Sequence, residues 1–434
     1  MNSIYAAFRS IIIFLLGTSL AGTALAQSPW TPKTDMPAGR AALSASVVNG
    51  KFYVMGGIVN GTPWGGPASP EMEIYDPTTD SWDTTQADMP SGRNSLASVV
   101  VNGKIYALGG QSLAGTTAES SFWEYDPLTD TWDTTKAQMP ASRSGLSAAV
   151  VNDKIYVIGG WNFSGLKYKT AVWEYDPVTN SWDTTKAEMP TGRAYLATCV
   201  VRNKIYAFGG INNDVTYDGL NTLEVYDPIT NTWDSTKTDM PARRIYLEAA
   251  AVDGLIYVFG GSTNPNNLPE STVWEYNPVT NIYKEVSPMP LGLMHAASGE
   301  VNGKIYNFGG FETAIVFPFI ASSTVFEYDP DNDPLVEIEK WDTNLPSAFS
   351  LHQNYPNPFN PTTNIEFSIP QSEFVTLKVY NVLGQEVATL VSERLSAGQY
   401  KYDWDASGLA SGVYLYRLET DQGFSQTRKL ILLR

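Results

Sequence analysis

A short pattern recurs six times along this chain and dominates what the chain can fold into. Each copy contains two adjacent glycines, and successive pairs are separated by 49 to 53 residues. The pairs are Gly56-Gly57, Gly109-Gly110, Gly159-Gly160, Gly209-Gly210, Gly260-Gly261 and Gly309-Gly310. A short apolar run precedes each pair, and a variable loop follows it. A repeat of this length is typical of a protein built from several copies of one supersecondary unit.

Each copy continues with a fixed series of turn and aromatic residues. After the loop comes Tyr-Asp-Pro, with Asn277 in the Asp place of the fifth copy, and in the first five copies an aromatic residue and Met-Pro follow. The aromatic residues are Trp82, Trp132, Trp182, Trp233 and Tyr283. Asn-Gly pairs such as Asn49-Gly50 favour a tight hairpin between the first two strands of a copy. The first five copies therefore each predict four short antiparallel strands, and the sixth predicts three.

These residues resemble the Kelch repeat, in which one copy forms one blade of a β-propeller. The resemblance implies an all-β fold with a six-bladed Kelch-type β-propeller over residues 27–330. Two segments compete for the fourth strand of the last blade, one at Trp30–Thr34 and one at Trp341-Asp342-Thr343. We expect the N-terminal segment to complete the ring, because Met36-Pro37 and Arg40 follow Trp30 as in the repeats.

The first residues have the character of an export signal. Residues 1–26 contain Arg9, an apolar run that begins at Ile11, and Ala24-Leu25-Ala26 as a cleavage site. This order is typical of a secretory signal peptide, with an uncleaved membrane anchor as the alternative. No other segment approaches the ~18 consecutive apolar residues of a spanning helix, so we expect no membrane span in the mature chain.

The repeat ends before a segment of different character. We place a linker at 331–346 and a small Ig-like β-sandwich at 347–434, where short alternating runs are separated by turn residues. Several residues resemble the type A C-terminal sorting domain of type IX secretion. They are Tyr355, Pro356, Asn357, Pro358, Phe359, Asn360, Pro361, Gly384, Gly412, Tyr414 and Lys429. The resemblance implies the type IX machinery as a partner, and a secreted protein in the medium or on the outer-membrane surface of a didermic bacterium. A purely structural appendage is the alternative.

Two groups of residues are candidates for ligand binding on one face of the propeller. The first is a partial ring of arginines, interrupted by Leu293, at Arg40, Arg93, Arg143, Arg193 and Arg244. These guanidinium groups could hold an anion, or could tie neighbouring blades together through carbonyl or acidic groups. The second group is the aromatic residues of the dissimilar loops between the second and third strands. They are Trp64, Trp161, Phe163, Tyr168, Tyr217, Phe311, Phe317 and Phe319. Such rings suit binding to a protein or glycan if exposed, or pack on the propeller rim.

Composition excludes several classes of function. A formal charge of -17 without a basic cluster argues against nucleic-acid binding. One cysteine, Cys199, and two histidines cannot build a thiolate metal cluster or most histidine metal sites. Asp329-x-Asp331-x-Asp333 has the spacing of the start of a calcium loop but lacks its glycine and distal glutamate. We therefore expect no cofactor, with calcium as the alternative.

The sequence favours a noncatalytic protein- or glycan-binding or scaffold module that acts as a monomer. The alternative is a carbohydrate-active enzyme, similar to the sialate mutarotases among Kelch-type proteins. It would use the mouth of the propeller channel, where Glu248, His295 and Glu300 could act as acid or base groups.

Overall fold

The structure of the protein is a computed structural model. It describes residues 28–59, 68–112, 118–162, 167–213, 218–264, 268–313, 320–333, 335, 348–371, 373–395, 398–421 and 423–433. These residues form two compact units, one before and one after residue 336. Both units are built from β-strands, and the described residues contain one short 3-10 helix at Pro330–Asn332. The all-β class is confirmed.

Six four-stranded antiparallel sheets make up the N-terminal unit. The first stretch of chain contains β1 (Trp30–Lys33), β2 (Arg40–Ala41), β3 (Ser44–Val48), β4 (Lys51–Met55), β5 (Ile58–Val59), β6 (Met72–Asp76) and β7 (Ser81–Asp83). Blade 1 has the order β3-β4-β6-β7, and β2 pairs with β5 in a separate short ribbon. Blade 2 contains β8 (Ala97–Val101), β9 (Lys104–Leu108), β10 (Phe122–Asp126) and β11 (Thr131–Asp133).

The remaining blades repeat this order from the inside outwards. Blade 3 contains β12 (Ser144–Val151), β13 (Lys154–Trp161), β14 (Trp173–Asp176) and β15 (Ser181–Asp183). Blade 4 contains β16 (Ala197–Val201), β17 (Lys204–Phe208), β18 (Leu223–Asp227) and β19 (Thr232–Asp234). Blade 5 contains β20 (Ile245–Val252), β21 (Leu255–Ser262), β22 (Val273–Asn277) and β23 (Ile282–Val286). Blade 6 contains β24 (Ala297–Val301), β25 (Lys304–Phe308), β26 (Val325–Tyr328) and β1.

The six sheets close into a ring. The first strand of each blade packs against the first strand of the next blade, and β24 of blade 6 packs back against β3 of blade 1. The expected six-bladed propeller is therefore confirmed, with the first strands innermost around the axis.

The N-terminal strand completes the last blade, as we expected. β1 pairs antiparallel with β26, with Trp30 opposite Tyr328 and Lys33 opposite Val325. The buried Trp30 ring lies 4.7 Å from the Tyr328 ring, and its Nε1 donates a hydrogen bond to the Ser287 carbonyl at 3.0 Å. The competing segment at Trp341 lies outside the described residues.

The paired glycines allow adjacent blades to approach closely. In blade 2 the amide of Gly110 donates to the Arg143 carbonyl of blade 3 at 2.9 Å. A Cβ atom on Gly109 would lie 2.5 Å from that same carbonyl oxygen, and Gly109 has a φ of +59°. Only glycine fits this backbone position without displacement, because other residues rarely adopt such a φ and would clash.

A second contact, which the spacing of the repeats did not predict, links each blade to the preceding one. The Tyr125 hydroxyl donates to Asp130 at 2.8 Å, and the same carboxylate oxygen accepts the Ala87 amide at 2.8 Å. Trp132 Nε1 then donates to the Ala87 carbonyl at 3.1 Å. The tyrosine and its partner five residues later recur as Tyr75 and Asp80, Tyr175 and Asn180, Tyr226 and Asn231, Tyr276 and Asn281, and Tyr328 and Asp333.

The C-terminal unit contains two antiparallel sheets. One has the order β27-β28-β31, formed by β27 (Ser350–Leu351), β28 (Thr362–Ile369) and β31 (Gly398–Asp405). The other has the order β30-β29-β32-β33, formed by β29 (Glu373–Asn381), β30 (Glu386–Leu395), β32 (Gly412–Thr420) and β33 (Ser425–Leu432). Residues of both sheets, such as Ile365, Leu377 and Tyr416, share one buried apolar core. This is the small β-sandwich that the sequence predicted.

Residues at the two ends of the sandwich segment meet along the last strand. Phe359 is buried, its amide donates to the Ile431 carbonyl at 3.0 Å, and its carbonyl accepts the Leu433 amide at 2.9 Å. Asn357 Oδ1 accepts the Ile431 amide at 2.9 Å, while Asn357 Nδ2 donates to the Lys429 carbonyl at 3.2 Å. The proline-rich segment at 355–361 therefore holds the end of β33.

Other sorting-domain residues have local structural roles or lie on the surface. Gly384 has a φ of +78° in the turn between β29 and β30. The Tyr414 hydroxyl donates to the Ala410 carbonyl at 2.8 Å. The side chains of Tyr355 and Lys429 are exposed, so both are accessible to a partner.

Candidate binding face

The arginine-bearing connections and the dissimilar loops lie at the same end of the propeller, as the strand order predicted. Short bridges join them directly, since Asn94 pairs with Gln111, Ala194 with Ile211 and Met294 with Phe311. We call this end the loop face. It comprises the connections that enter the innermost strands and the loops between the second and third strands.

The five arginines of the loop face are buried and directed into the blades. Arg143 donates to the carbonyls of Gly159 at 2.9 Å and Ala171 at 2.8 Å. Arg193 donates to the Thr222 carbonyl at 3.0 Å. Arg40 has a comparable set of carbonyl acceptors. The geometry favours the structural role for these residues, and their binding of an anionic ligand stays a prediction.

Two kinds of side chain satisfy these guanidinium groups. In blades 1 and 4 the partner is a glutamate, with Arg40 paired to Glu73 and Arg193 paired to Glu224 at 2.9 Å. In blades 2, 3 and 5 the arginine lies over a tryptophan ring instead. The distances from guanidinium carbon to ring centroid are 4.7 Å for Arg93 over Trp123, 3.4 Å for Arg143 over Trp173 and 4.5 Å for Arg244 over Trp274. Either arrangement stabilises a buried cation.

Burial alters the protonation equilibrium of these arginines without neutralising them. Desolvation lowers the pKa of Arg143 to about 9 and that of Arg193 to about 10. Both values lie above pH 7, so the groups stay charged under ordinary conditions. Their charge is therefore balanced by Glu224, by carbonyl dipoles and by aromatic faces.

At the axis, the loop face carries a closed ring of backbone hydrogen bonds. Six residues take part, each two positions after an arginine or Leu293: Ala42, Ser95, Gly145, Tyr195, Tyr246 and His295. Each amide donates to the carbonyl of the residue in the preceding blade, over distances from 2.7 to 3.1 Å. All six have φ between 51° and 58°. A left-handed conformation at tyrosine or histidine has no signature in sequence, so the ring could not be predicted.

Aromatic side chains fill one half of this ring. The Tyr246 and His295 rings are stacked with centroids 3.6 Å apart, and the Tyr195 ring lies 4.7 Å from Tyr246. The Tyr195 hydroxyl accepts a hydrogen bond from Trp161 Nε1 at 2.7 Å. A Cβ on Gly145 would lie 2.6 Å from the Tyr195 ring, so the glycine makes room for the tyrosine.

The mouth of the channel is a cavity of about 80 Å³ lined by the ring residues and Glu248. Ser298 donates to the Glu248 carboxylate at 3.0 Å. Desolvation raises the pKa of Glu248 to about 8 and lowers that of His295 to about 3, so both are neutral near pH 7. Glu300 is not at the mouth, because it is exposed and accepts the Gly303 amide in a hairpin turn at 2.6 Å.

Two of the loop aromatics that the structure describes are buried, and a third is half-buried. Trp161 is 8% exposed and Phe311 is 2% exposed, and Phe311 packs against Ala41, Ile58 and Met294. These two rings follow the second alternative of the sequence analysis, since both pack on the propeller, and their binding of a ligand stays a prediction. Tyr168 is half-buried. The other candidates lie outside the described residues: Trp64, Phe163, Tyr217, Phe317 and Phe319.

The remaining sequence candidates also have structural surroundings. Cys199 is buried, and burial raises the pKa of its thiol. Asp333 accepts hydrogen bonds from the Tyr328 hydroxyl at 2.7 Å and from Ser287, which is the role of Asp130 in blade 2. Within the described ranges, no group of three or more His, Cys, Asp or Glu side chains is placed to hold a metal ion. Calcium at the Asp329–Asp333 turn stays an untested prediction.

The ring of six blades and the tail sandwich define the class of this protein, a Kelch-repeat β-propeller with an export domain. A family model described as the attractin/LZTR1 β-propeller matches residues 65–312. The chain belongs to that family. A Kelch motif model matches residues 39–85, and the secretion system C-terminal sorting domain matches residues 353–433.

Curated relatives share single regions with the chain. The Kelch-like protein terF of Aspergillus terreus is 40% identical over 92 residues, covering 20% of this chain and 19% of that protein. The spermatocyte protein spe-26 of Caenorhabditis elegans is 33% identical over 121 residues, covering 26% and 20%. The F-box/kelch-repeat protein At1g22040 of Arabidopsis thaliana is 32% identical over 111 residues, covering 25% and 21%. The chain thus spans about a fifth of the length of these relatives.

The sorting domain supports secretion through the type IX system to the cell surface or the extracellular space of a bacterium. It also implies contact with the type IX machinery. None of the helices among the described residues is long and apolar enough to cross a membrane.

Proposed function

We propose that this protein is a noncatalytic binding module whose loop face holds a protein or glycan outside the cell. The main support for the proposal is that the six repeats share their blade contacts but differ in one set of loops. The contacts that join the blades recur around the ring, since Asp130 accepts the Ala87 amide and Asn180 accepts the Ala137 amide of the preceding blade. The loops between second and third strands have dissimilar sequences. Variable loops on a rigid scaffold are a common location for recognition.

The contacts within the loop face indicate which residues are free to take part. Its arginines are engaged by carbonyls, glutamates or tryptophans. Recognition would therefore depend on the loop segments, including Phe317 and Phe319 in the apolar loop at 311–320. Aromatic residues often contribute a large share of binding free energy at protein interfaces.

The test is a glycan array and a panel of purified surface proteins, both probed with residues 27–434. The double variant F317A/F319A should lose binding at least tenfold while keeping the wild-type melting temperature. The matched control is L128A/V178A, which removes two exposed aliphatic side chains from the Asp-Pro turns at the other end of the blades. Equal binding by both variants, or no selective binding by the folded wild type, would refute the proposal.

We further propose that the mature protein remains at the outer surface after translocation. Proteinase K added to intact cells should digest the wild-type protein, whereas a chain truncated at residue 346 should be protected inside the cell envelope. Recovery of the full protein only from the medium would show release instead of attachment.

A second candidate is an enzyme at the channel mouth, similar to a sialate mutarotase. It is favoured by Glu248, which lines the mouth cavity together with His295. Acceleration of N-acetylneuraminate anomer exchange in proton NMR, lost in E248Q, would support this candidate.

A further inference from the structure

Blade 4 contains a cavity at a place that a glutamate occupies in blades 2 and 3. Its volume is about 270 Å³, or roughly nine water molecules. Its lining comes from the hairpin between β16 and β17, from β18 and β19, and from Pro278 in blade 5. These are the turns opposite the loop face, so the cavity is separate from the channel mouth.

The equivalent place in blade 2 is occupied by a glutamate with three donors. The Glu124 carboxylate accepts the Tyr106 hydroxyl at 2.8 Å and approaches Lys104 at 2.7 Å and Lys136 at 2.9 Å. The two lysines also reach Asp126 at 3.4 Å and Asp133 at 3.3 Å. Each lysine therefore serves one aspartate and the central glutamate together.

Blade 3 repeats this arrangement. Glu174 accepts the Tyr156 hydroxyl at 2.8 Å and pairs with Lys186 at 2.6 Å. Lys186 also contacts Asp183 at 3.0 Å. The tyrosine, a lysine and a central carboxylate thus form a recurring set in the outer half of the blade.

In blade 4 the central carboxylate is absent from the sequence. Val225 lies opposite Tyr206 and Asp234, as Glu124 lies opposite Tyr106 and Asp133. The glutamate of this blade is one residue earlier, at Glu224, and pairs with Arg193. A shift of one residue along a strand turns a side chain to the other face of the sheet.

A tyrosine and two lysines, which donate to Glu124 in blade 2, have counterparts around Val225 in blade 4. Lys204 pairs with Asp227 at 3.1 Å and Lys237 with Asp234 at 3.3 Å, as in the other blades. A lysine ammonium has three donors, so each retains capacity for a second acceptor. Among the described residues, the Tyr206 hydroxyl has no hydrogen-bond partner.

One further substitution makes this cavity basic. Arg202 lines it and takes the hairpin place that Asn102 and Asn152 take in blades 2 and 3. Arg202, Lys204 and Lys237 face two aspartates, a local balance of +1. In blade 2 the corresponding two lysines face three acids, a balance of -1. Blade 4 is therefore a positive site on a chain with a formal charge of -17.

We propose that the blade 4 cavity binds a carboxylate group of an external ligand, in the place that Glu124 fills in blade 2. Tyr206, Lys204 and Lys237 would donate to the carboxylate, and Arg202 would attract it and contact the rest of the ligand. Val225 leaves room for a chain of a few carbon atoms. The ligand class is a small organic acid or the side chain of an acidic residue. This inference does not depend on binding at the loop face.

The test measures the melting temperature of residues 27–434 with succinate or N-acetylglutamate amide against sodium chloride at equal ionic strength. A carboxylate at about ten times its Kd should raise Tm by about 2 °C in the wild type. A response to both probes supports a general carboxylate site, and a response to one identifies the source of the group.

Two variants make the test specific to this cavity. V225E supplies the missing carboxylate and should abolish the succinate response, and K237M should weaken it at least threefold. The matched control is I74E, because Ile74 has the same position in blade 1, where Gln86 replaces the outer lysine. I74E should respond as the wild type does. Equal responses in V225E and the wild type, or no response in the wild type, would overturn the proposal.

Discussion

The closure of the propeller by its N-terminal strand leads to a quantitative prediction for Trp30→Ala. The substitution removes a buried ring that contacts Tyr328, and it removes the hydrogen bond from Nε1 to the Ser287 carbonyl. Truncation of a buried tryptophan costs about 3–5 kcal/mol, and we take about 4 kcal/mol here. For a domain of this size each kcal/mol lowers Tm by about 2 °C, so we expect a fall of about 8 °C.

Differential scanning calorimetry of residues 27–434 would measure this loss. The propeller transition should move to lower temperature in W30A, while a separate transition of the C-terminal sandwich should not move. Trp341→Ala is the matched control. It alters the segment Trp341-Asp342-Thr343, which competes with the N-terminal strand for the fourth place in blade 6. It should change the free energy of unfolding by less than about 0.5 kcal/mol. A small effect of W30A together with a large effect of W341A would refute closure by β1.

Three further predictions concern contacts within and between the blades. Asp130→Ala should destabilise the propeller by about 2 kcal/mol in urea unfolding, because it removes the acceptor of two hydrogen bonds. Asp130→Asn should leave the free energy of unfolding nearly unchanged, because Asn180 has the same role in blade 3. Gly109→Ala should lower the free energy of unfolding by at least about 2 kcal/mol and Gly103→Ala by about 1 kcal/mol, because only the first introduces a clash. Equal melting temperatures of the two variants would contradict this. Burial raises the pKa of Glu248 to about 8 from 4.5, so the folded state retains a proton that the unfolded chain releases. Stability from this group is present below pH 4.5 and lost as the pH rises to 8, and E248Q should flatten the fall in Tm over that range.

The sequence was sufficient for the architecture because its signals are local and repeated. The paired glycines, the Tyr-Asp-Pro turns and Trp30 each lie in the predicted place. The contacts between blades were harder to infer. Asp130 bonds to Ala87, 43 residues away, and a regular spacing alone does not show which side chain crosses to the next blade.

The site was predicted less well than the fold, for two physical reasons. The direction of a side chain on a connection depends on its φ, and positive values at Tyr195 and His295 leave no trace in residue type. Loop aromatics can be exposed or packed with the same composition, as the burial of Trp161 and Phe311 shows. The shift from Glu124 to Val225 was visible in the sequence, but its meaning required the lysine and tyrosine contacts.

The ring of backbone hydrogen bonds at the axis holds the mouth together through the main chain, while the side chains on the ring determine the chemistry of the mouth. Its six links use amides and carbonyls, so the closure itself involves no side chain, and of the six positions only Gly145 is confined by a neighbouring ring. Those positions already include alanine, serine, tyrosine and histidine on one framework. Exchanging Ala42 or Ser95 for charged or aromatic residues would therefore change what the mouth presents to solvent while the ring itself stays closed. The protein offers an adaptable surface whose supporting geometry is set by the main chain.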